Sequence, residues 1–281
     1  MNRLILLLIS ILVMWSCSQD EHEDLPSLSV VSIPVLNTHT IAAKSFIENE
    51  SNYFVVLESG LGDGLSVWEE NRLASKIAKS CDILIYNRAG YGQSTMDNNP
   101  RNVDRLRQEL ELVINQTANG RKVILVAHSL GGLVIRDYAI KNPTKIAGLM
   151  FIDSSHELYN QPTQQQEDEI YNAFSSAYGI NAGSTREARE LIEDLAYASL
   201  LENLPNIPTI VLTSMKQDAA NNTSDQANNK TRQDWYNAHE SLKTGLSDFT
   251  HIQTTKSGHY IMRDEPNLVL DNFNLLLSKL P

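Results

Sequence analysis

The stretch KVILVAHSLGG, residues 122–132, decides the fold. Five apolar residues, 123–127, lead directly into His128, Ser129, Leu130 and a pair of glycines. A short apolar run of this kind is typical of a buried strand, and the residues that follow, LGGLVIRDYAIKNP, resemble a helix that is stopped by Pro143. The pattern predicts a strand that turns sharply into a helix at Ser129.

Small residues surround Ser129 in a way that such a turn requires. A sharp strand-to-helix turn strains the backbone of its central residue and leaves little room two positions to either side, where the sequence has Ala127 and Gly131. Gly132 lets the helix approach the sheet. The turn would lift the Ser129 hydroxyl above the sheet and aim the backbone N–H of Leu130 at the same place. We interpret the stretch as a nucleophile elbow rather than a turn made for packing.

Apolar runs and amphipathic segments alternate along most of the chain. Two strand-like segments, LSVVSIPVL and THTIAAKSFIE, are predicted to form an N-terminal hairpin. Six more apolar runs end in polar or glycine-rich residues: NYFVVLESGLGDG, CDILIYNRAGYGQS, KVILVAHS, IAGLMFIDSSH, IPTIVLTSM and HIQTTKSGHY. The alternation predicts an α/β fold, a mainly parallel sheet covered by helices on both faces, with ligands bound at the carboxyl ends of the strands.

One segment, residues 157–205, interrupts this alternation with helical patches and no strand pattern. We predict that it forms a helical cap inserted into a core made of residues 28–156 and 206–281. A polar stretch, residues 217–234, is predicted to be a long loop that runs into a helix around Trp235.

The N-terminus has the pattern of an export signal. Arg3 precedes an apolar run, residues 4–15, which is too short to span a bilayer and fits the core of a signal peptide over residues 1–16. The letters MWSC resemble a bacterial lipobox, in which Cys17 would be lipidated, and residues 17–27 would form an acidic tether. We expect an exported bacterial lipoprotein anchored to a membrane; an ordinary secretory signal is the alternative.

Composition excludes some classes of protein. The formal net charge of −11 argues against non-specific binding of nucleic acid, which needs a basic surface. Cys17 and Cys81 are the two cysteines; lipidation of Cys17 would rule out an intramolecular disulfide, and Cys81 is expected to be a small buried apolar residue. No cysteine and histidine cluster has zinc spacing, so we expect neither a metal nor an organic cofactor. The sequence makes no prediction of oligomeric state.

A serine hydroxyl becomes a good nucleophile when a base takes its proton. His259 is the candidate base, since it follows the last predicted strand in TKSGHYIMRDEP. The histidine in turn needs a carboxylate, and two are candidates: Asp153 at the end of GLMFID, and Asp218 after PTIVLTS. The chain order fits either; we favour Asp153 because it lies at the tip of a strand rather than in a polar loop.

Backbone N–H groups are needed where negative charge would develop. Leu130 supplies one, and Leu61 in the glycine-rich loop LESGLGDG is the candidate for the other. His128 is interpreted as a packing residue under the turn. Arg88 in NRAGYGQS is assigned to a structural turn in which it pairs with a carboxylate, without a catalytic role.

These motifs together resemble the α/β-hydrolase superfamily from about residue 52 to residue 280. VVLESGLGDG is similar to the family's oxyanion loop and YNRAGYGQS to its D-R-x-G-x-G-x-S segment, with Asn87 in place of the acid. VAHSLGG resembles the nucleophile elbow, with Ala127 where many members have Gly, and KSGHY resembles the histidine segment. The resemblance implies a cap at the predicted insertion. It implies an acid after the next strand, near Asp218, although a minority of members carry it where Asp153 stands.

The residues and the resemblance predict a serine hydrolase that cleaves a carboxylic ester, or a related small-molecule acyl compound, through an acyl-enzyme. Two other classes stay open. One is a ligand-binding or receptor-like module with little turnover on the same fold. The other is an aminopeptidase or an acyltransferase.

Overall fold

The computed structural model describes residues 24–35, 39–48, 51–217 and 231–281. Within these residues eight strands form one sheet in the order β1-β2-β4-β3-β5-β6-β7-β8. The strands are β1 (Ser29–Val35), β2 (His39–Phe46), β3 (Tyr53–Glu58), β4 (Asp82–Tyr86), β5 (Lys122–His128), β6 (Ile146–Ile152), β7 (Thr209–Ser214) and β8 (Phe249–Thr254).

The sheet is antiparallel at one edge and parallel elsewhere. β1 pairs with β2 as the predicted hairpin, and β2 pairs antiparallel with β4. All pairings among β3 to β8 are parallel. β5 lies between β3 and β6, so the end of β5 is at the centre of the carboxyl edge of the sheet. The predicted α/β class and parallel sheet are confirmed.

Helices follow most of the parallel strands. They are α1 (Ser66–Glu69), α2 (Leu73–Ile77), α3 (Val103–Thr117), α4 (Gly131–Lys141), α5 (Gln164–Tyr178), α6 (Gly183–Ala188), α7 (Leu191–Ala198), α8 (Arg232–Glu240), α9 (Ile261–Asp264) and α10 (Pro266–Ser278). Short 3-10 turns lie at Glu70–Arg72, Pro143–Lys145 and Ser241–Lys243.

The two faces of the sheet carry separate apolar cores. Alternate residues of β5 point to opposite faces: Leu125 packs in a cluster with α3 and α4, and Ile124 packs in a cluster with α1, α2 and α10. Both faces of the strand are therefore buried, which explains why its sequence is a continuous apolar run rather than an alternating one. Cys81 lies in the second cluster with 2% of its surface exposed, as expected of a small apolar residue.

The segment SVWEENRLASKIAKS, predicted to be helical, is broken between α1 and α2. Asn71 and Arg72 have φ angles of 52° and 57°, in the left-handed region that ends a helix. The Asn71 side chain donates a hydrogen bond to the backbone oxygen of Arg263, 2.9 Å away, so the break is held by the C-terminal part of the chain. Helical periodicity does not reveal a kink that depends on a contact between distant residues.

Between β6 and β7 lie α5, α6 and α7, in the segment predicted to be a cap. α5 begins at a capping box, in which Thr163 and Gln166 each bond the other's backbone N–H. This region is joined to the core by Gly183, which donates to the Gly90 oxygen at 3.1 Å, and by Asp194, which accepts from the Val103 N–H at 2.7 Å. The division into core and cap domains stays a prediction.

Some predictions lie outside the described residues. The predicted signal peptide, Cys17, much of the tether and the alternative acid Asp218 are among them. Within the described part of the chain, none of the helices has the length and apolar character needed to cross a bilayer.

Asp194 makes the stability of the fold depend on pH. Burial, helped by the nearby charges of Glu190, Glu187 and Glu193, raises the pKa of this carboxyl to about 8. Between pH about 4, the unfolded value, and pH about 8 the folded state holds a proton that the unfolded state releases, so stability falls as pH rises. We expect Asp194→Asn to be more stable than the wild type by an amount that grows by up to ~1.4 kcal/mol per pH unit in this window.

Urea unfolding of both proteins at several pH values measures the difference. Other titrating groups cancel in the comparison, and Glu202→Gln, which neutralises an exposed acid, controls for net charge. A stability difference that stays constant from pH 4 to pH 8 would contradict the assignment.

Candidate active site

Ser129 occupies a strained turn between β5 and α4. Its φ angle is 52°, in the left-handed region that non-glycine residues seldom adopt. A Cβ on Gly131 would lie 2.7 Å from the Ser59 oxygen, and one on Gly132 would lie 2.3 Å from the Ser154 Cβ. Both glycines are therefore required by close approach, and Ala127 is fully buried at the other side of the turn. The structure therefore forms the predicted sharp turn from strand to helix at Ser129.

His259, after β8, and Asp153, after β6, are brought together at the carboxyl edge of the sheet. The His259 Nδ1 atom is 2.7 Å from Asp153 Oδ2 and donates a hydrogen bond to it. Asp153 follows β6, has a φ angle of 42° and is 1% exposed, whereas a third of the His259 side chain is exposed. The favoured acid of the two sequence candidates thus contacts the predicted base; Asp218 is not among the described residues.

The second oxygen of Asp153 is also held. Oδ1 accepts hydrogen bonds from the Ser214 backbone N–H at 2.8 Å and from the Trp235 indole Nε1–H at 2.7 Å. Burial alone would raise the pKa of this carboxyl, but the hydrogen bond and charge of His259, with the indole donor, hold the pKa below its usual value. Asp153 is therefore ionised and fixed in orientation, which sets the tautomer of His259 with Nε2 free to accept a proton.

Sequence reasoning did not assign Trp235 a role. It lies on α8, behind Asp153, and its ring packs 4.3 Å from the His239 ring, whose Nε2 donates to the Ser154 oxygen at 2.6 Å. Neither residue is part of a motif, and no pattern in the sequence places α8 beside β6. The one general signal is the tryptophan itself, because the indole N–H of a buried tryptophan usually donates a hydrogen bond to a polar group nearby.

Ser129 and His259 line the same cavity, which has a volume of about 500 Å³. The described side chains of Ser129 and His259 are not hydrogen bonded to each other. A nucleophile and its base are often too far apart for a hydrogen bond until substrate binds. His128, predicted to be a packing residue, is fully buried. Its Nε2 donates to the backbone oxygen of His259, 3.0 Å away, and its ring lies 4.4 Å from the His259 ring. His128 therefore positions the backbone of the candidate base.

The loop that carries Leu61 passes close to Ser129. A Cβ on Gly60 would lie 2.9 Å from the Ser129 Cβ, so the loop needs glycine there. Leu61 and Leu130, the two predicted oxyanion donors, line a second cavity together with Ser129. The structure brings the predicted donors to the serine.

Arg88 fixes the direction of the Leu61 N–H. Its guanidinium donates to the backbone oxygens of Ser59 and Gly60, at 2.6 and 2.8 Å. The peptide between Gly60 and Leu61 is trans, as are all the described peptides, so its N–H points away from its C=O. Since the C=O faces Arg88, the Leu61 N–H faces the opposite way.

Arg88 also pairs with two buried carboxylates. Nη1 lies 2.7 Å from Glu58 Oε1, and Nε and Nη2 bond the two oxygens of Glu187 at 3.0 and 2.7 Å. Glu187 belongs to α6, in the segment predicted to be a cap. The prediction that Arg88 pairs with a carboxylate is confirmed, and the structure adds that the pairing joins the loop beside Ser129 to that segment.

One group of side chains has the composition of a metal site. The ligand atoms of His39, Asp97 and Glu109, all buried, lie within 4.8 Å of one another. Arg101 Nη1 lies 2.8 Å from Glu109 and 3.6 Å from Asp97, so a fixed cation already balances these acids. We assign this group to the structural ion pairs that extend from Arg88 through Glu187 and Arg101.

Comparisons with known proteins agree with the fold. The family model of the alpha/beta hydrolase fold matches residues 53–272. The chain is 25% identical to the uncharacterized protein YqjL of Bacillus subtilis over 233 residues, which are 79% of this chain and 82% of that one. It is 26% identical to the pimeloyl-[acyl-carrier protein] methyl ester esterase of Proteus mirabilis over 174 residues, 57% of this chain and 64% of that one.

Among solved structures, a thermophilic esterase from Thermogutta terrifontis superposes with a TM-score of 0.69 at 14% identity, covering 89% of this chain and 98% of that one. Cfl2 from Burkholderia cenocepacia gives a TM-score of 0.67 at 14% identity, covering 90% and 96%. The chain belongs to the α/β-hydrolase family. This membership places the protein among the hydrolases, the class of enzyme that the sequence predicted.

Removal of the Arg88 guanidinium is expected to destabilise the fold strongly. Arg88→Met would leave the buried Glu58 without its cation and Glu187 with only the more distant Arg101, at a cost of ~3–5 kcal/mol in the free energy of unfolding. Burial already raises the pKa of Glu58 against the opposing charge of Arg88. Without the guanidinium this pKa rises further, so the variant should recover part of the loss as pH falls toward about 4.

Urea unfolding at pH 7 and pH 4.5 tests this expectation. Arg189→Met is the matched control, since Arg189 pairs with Asp168 at a site where 39% of its side chain is exposed and a loss of at most ~1 kcal/mol is expected. Equal losses of unfolding free energy in the two variants would show that the buried ion pairs of Arg88 matter no more to stability than an exposed pair.

Proposed function

We propose that the protein is a serine hydrolase that cleaves a carboxylic ester of a small molecule through an acyl-enzyme, with Ser129 as nucleophile, His259 as base and Asp153 as the acid that orients it. The observation that carries the proposal is the buried Asp153 carboxylate bonded to His259 Nδ1, beside a cavity that Ser129 and His259 share.

The first half of the reaction makes the acyl-enzyme. His259 Nε2 takes the proton of Ser129 as Oγ bonds to the substrate carbonyl carbon. The Leu61 and Leu130 N–H groups stabilise the negative charge on the carbonyl oxygen. The bond from carbon to the leaving oxygen then breaks, and His259 passes its proton to that oxygen. Water repeats these steps on the acyl-enzyme and releases the acid, and the proton returns to Ser129.

The serine favours acyl transfer over the reactions of some structural neighbours. CorEH is an epoxide hydrolase and DbeA is a haloalkane dehalogenase, with TM-scores of 0.65 and 0.66 at 14% identity. If Ser129 attacked an epoxide or haloalkane carbon, the product would be an ether, which water does not readily cleave. If it attacks a carbonyl, the product is an ester, which the same histidine can hydrolyse.

Activity on p-nitrophenyl acetate tests the proposal. Ser129→Ala should abolish hydrolysis and labelling by a fluorophosphonate probe. Asp153→Asn should lower kcat by about 10⁴-fold, because the amide cannot hold the His259 tautomer or stabilise its cation. Asp218→Asn is the matched control and should change kcat little.

Two results would count against the assignment. A larger loss from Asp218→Asn than from Asp153→Asn would transfer the role of acid to Asp218. Absence of both turnover and probe labelling in the wild type would favour the ligand-binding alternative, and transfer of the acyl group to an added alcohol in preference to water would favour an acyltransferase.

We also propose that the protein is exported and anchored to a membrane through lipid on Cys17, because the letters MWSC stand at the end of a short apolar run. In a bacterial host fed a clickable palmitate analogue, the full chain should become labelled and sediment with membranes. Cys17→Ser should lose the label and appear in the soluble fraction. An unlabelled wild type, with the chain cut after the apolar run, would indicate an ordinary secretory signal.

A further inference from the structure

Ser129 lies where two cavities of different chemical character meet. The first, about 240 Å³, is walled largely by aliphatic side chains: Leu61, Leu130, Leu133, Ile170, Leu191 and Leu195. The second, about 500 Å³, is walled largely by groups with hydrogen-bonding atoms: Tyr159, Arg232, His259, Tyr260, Arg263 and Asp264. We call them the apolar cavity and the polar cavity. Ser129, Ser155 and Asn160 belong to both walls.

The position of His259 decides which half of a substrate each cavity receives. The imidazole must return its proton to the leaving oxygen, so the leaving group has to lie beside His259. His259 belongs to the wall of the polar cavity, and the described wall of the apolar cavity does not include it. Leu61 and Leu130, the proposed oxyanion donors, line the apolar cavity. The acyl chain therefore extends into the apolar cavity and the alcohol into the polar one.

Both arginines in the wall of the polar cavity are already bonded to protein groups. Arg232 donates to the Ser214 oxygen at 2.6 Å, and Arg263 pairs with Glu70 at 2.7 Å. These contacts favour an uncharged hydroxylated alcohol over an anion, since an anion would have to displace them. Three amphipathic aromatic side chains in the same wall suit the alternating C–H and O–H surface of a polyol: Tyr159, Trp235 and Tyr260.

The volume of the apolar cavity indicates the size of acyl chain that it can hold. A water molecule occupies ~30 Å³ in the liquid, and we take a methylene group to be of similar size. A cavity of about 240 Å³ therefore has room for roughly eight carbon-sized groups. The aliphatic side chains of α5 and α7, Ile170, Leu191 and Leu195, form the part of the wall contributed by the predicted cap segment.

We propose that the substrate is an ester of a polyol with a linear fatty acid of up to about eight carbons, the chain in the apolar cavity and the polyol in the polar cavity. The inference rests on the hydrolase function proposed above. Ser129 Oγ bonds to the acyl carbon as the bond to the polyol oxygen breaks, and the proton passes from Ser129 through His259 to the polyol. Water then releases the fatty acid.

A pair of reversed esters tests the orientation. Glyceryl octanoate carries an apolar acyl group and a hydroxylated alcohol; octyl glycerate carries the same two ends exchanged across the ester bond. Below their micelle concentrations, we expect kcat/KM for glyceryl octanoate to exceed that for octyl glycerate by at least about 100-fold. In octyl glycerate the octyl chain would have to lie in the polar cavity and the hydroxylated group in the apolar one. Equal values, or the reverse order, would overturn the proposal.

A substitution in the wall of the apolar cavity tests whether the acyl chain binds there. Ile170→Trp fills part of the cavity and should lower the octanoyl-to-acetyl ratio of kcat/KM, measured with p-nitrophenyl esters, by at least about 10-fold. Asn172→Trp places the same side chain at an exposed position on the same helix and should leave the ratio unchanged. An unchanged ratio in Ile170→Trp would show that the acyl chain lies elsewhere.

Failure of the inference and failure of the proposed function give different results. If the protein is not a serine hydrolase, Ser129 is not labelled by a fluorophosphonate and neither reversed ester is cleaved. If it is a serine hydrolase of another specificity, Ser129 is labelled and p-nitrophenyl acetate is cleaved, but the reversed esters do not show the expected preference. Preferred cleavage of an ester with an anionic alcohol would also overturn the assignment of the polar cavity.

Discussion

The bend of the backbone at Ser129 is the constraint on which the proposed active site depends. A left-handed conformation costs a non-glycine residue about 1–3 kcal/mol, so it persists only where the surroundings enforce it. Here the Ser155 N–H bonds the Ser129 oxygen at 2.9 Å, and the Ser129 N–H bonds the Ile152 oxygen at 3.3 Å. The tight packing of Gly131 and Gly132 leaves α4 no other path. A larger residue at either glycine would push the helix away and with it the hydroxyl.

The neighbouring strand ends in a similar way. Asp153 follows β6 in a left-handed conformation, and its N–H bonds the Leu212 oxygen of β7 at 2.8 Å. Parallel strands end at one edge of a sheet, so adjacent strands deliver a hydroxyl and a carboxylate to the same side. Burial of that carboxylate is tolerable because both oxygens are bonded, one by His259 and one by Ser214 and Trp235. The sheet thus sets the position of Asp153, and the Ser214 N–H at the end of the neighbouring strand helps to keep the carboxylate ionised.

A buried guanidinium joins the site to the helices above it. Arg88 bonds two backbone oxygens of the loop beside Ser129 and both oxygens of Glu187 on α6. Buried ion pairs seldom add net stability, but they define one arrangement of the groups they join. In this protein that arrangement includes the direction of the Leu61 N–H. The segment between β6 and β7, whose helices α5 and α7 line the apolar cavity, is therefore linked through Glu187 on α6 to the loop that would bind the oxyanion.

The amino-acid sequence by itself determined the elements and the local turns. Continuous apolar runs specify strands buried on both faces, and the small residues around Ser129 specify the elbow, because these features depend on near neighbours in the chain. His259 could also be found, since the motif order places a base after the last strand. Asp153 was favoured as the acid because it lies at the tip of a strand. The order of serine, acid and histidine along the chain fits Asp218 equally well.

The tertiary structure decided what depends on contacts between distant residues. Trp235 reaches Asp153 across 82 positions, and Glu187 reaches Arg88 across 99. The kink at Asn71 is held by Arg263, which helical periodicity does not reveal. The two cavities beside Ser129 combine side chains from several elements, so their contrasting chemistry appears only when the chain is folded. Local sequence encodes backbone conformation through short-range sterics, whereas the partners of buried polar groups are set by the packing of the whole chain.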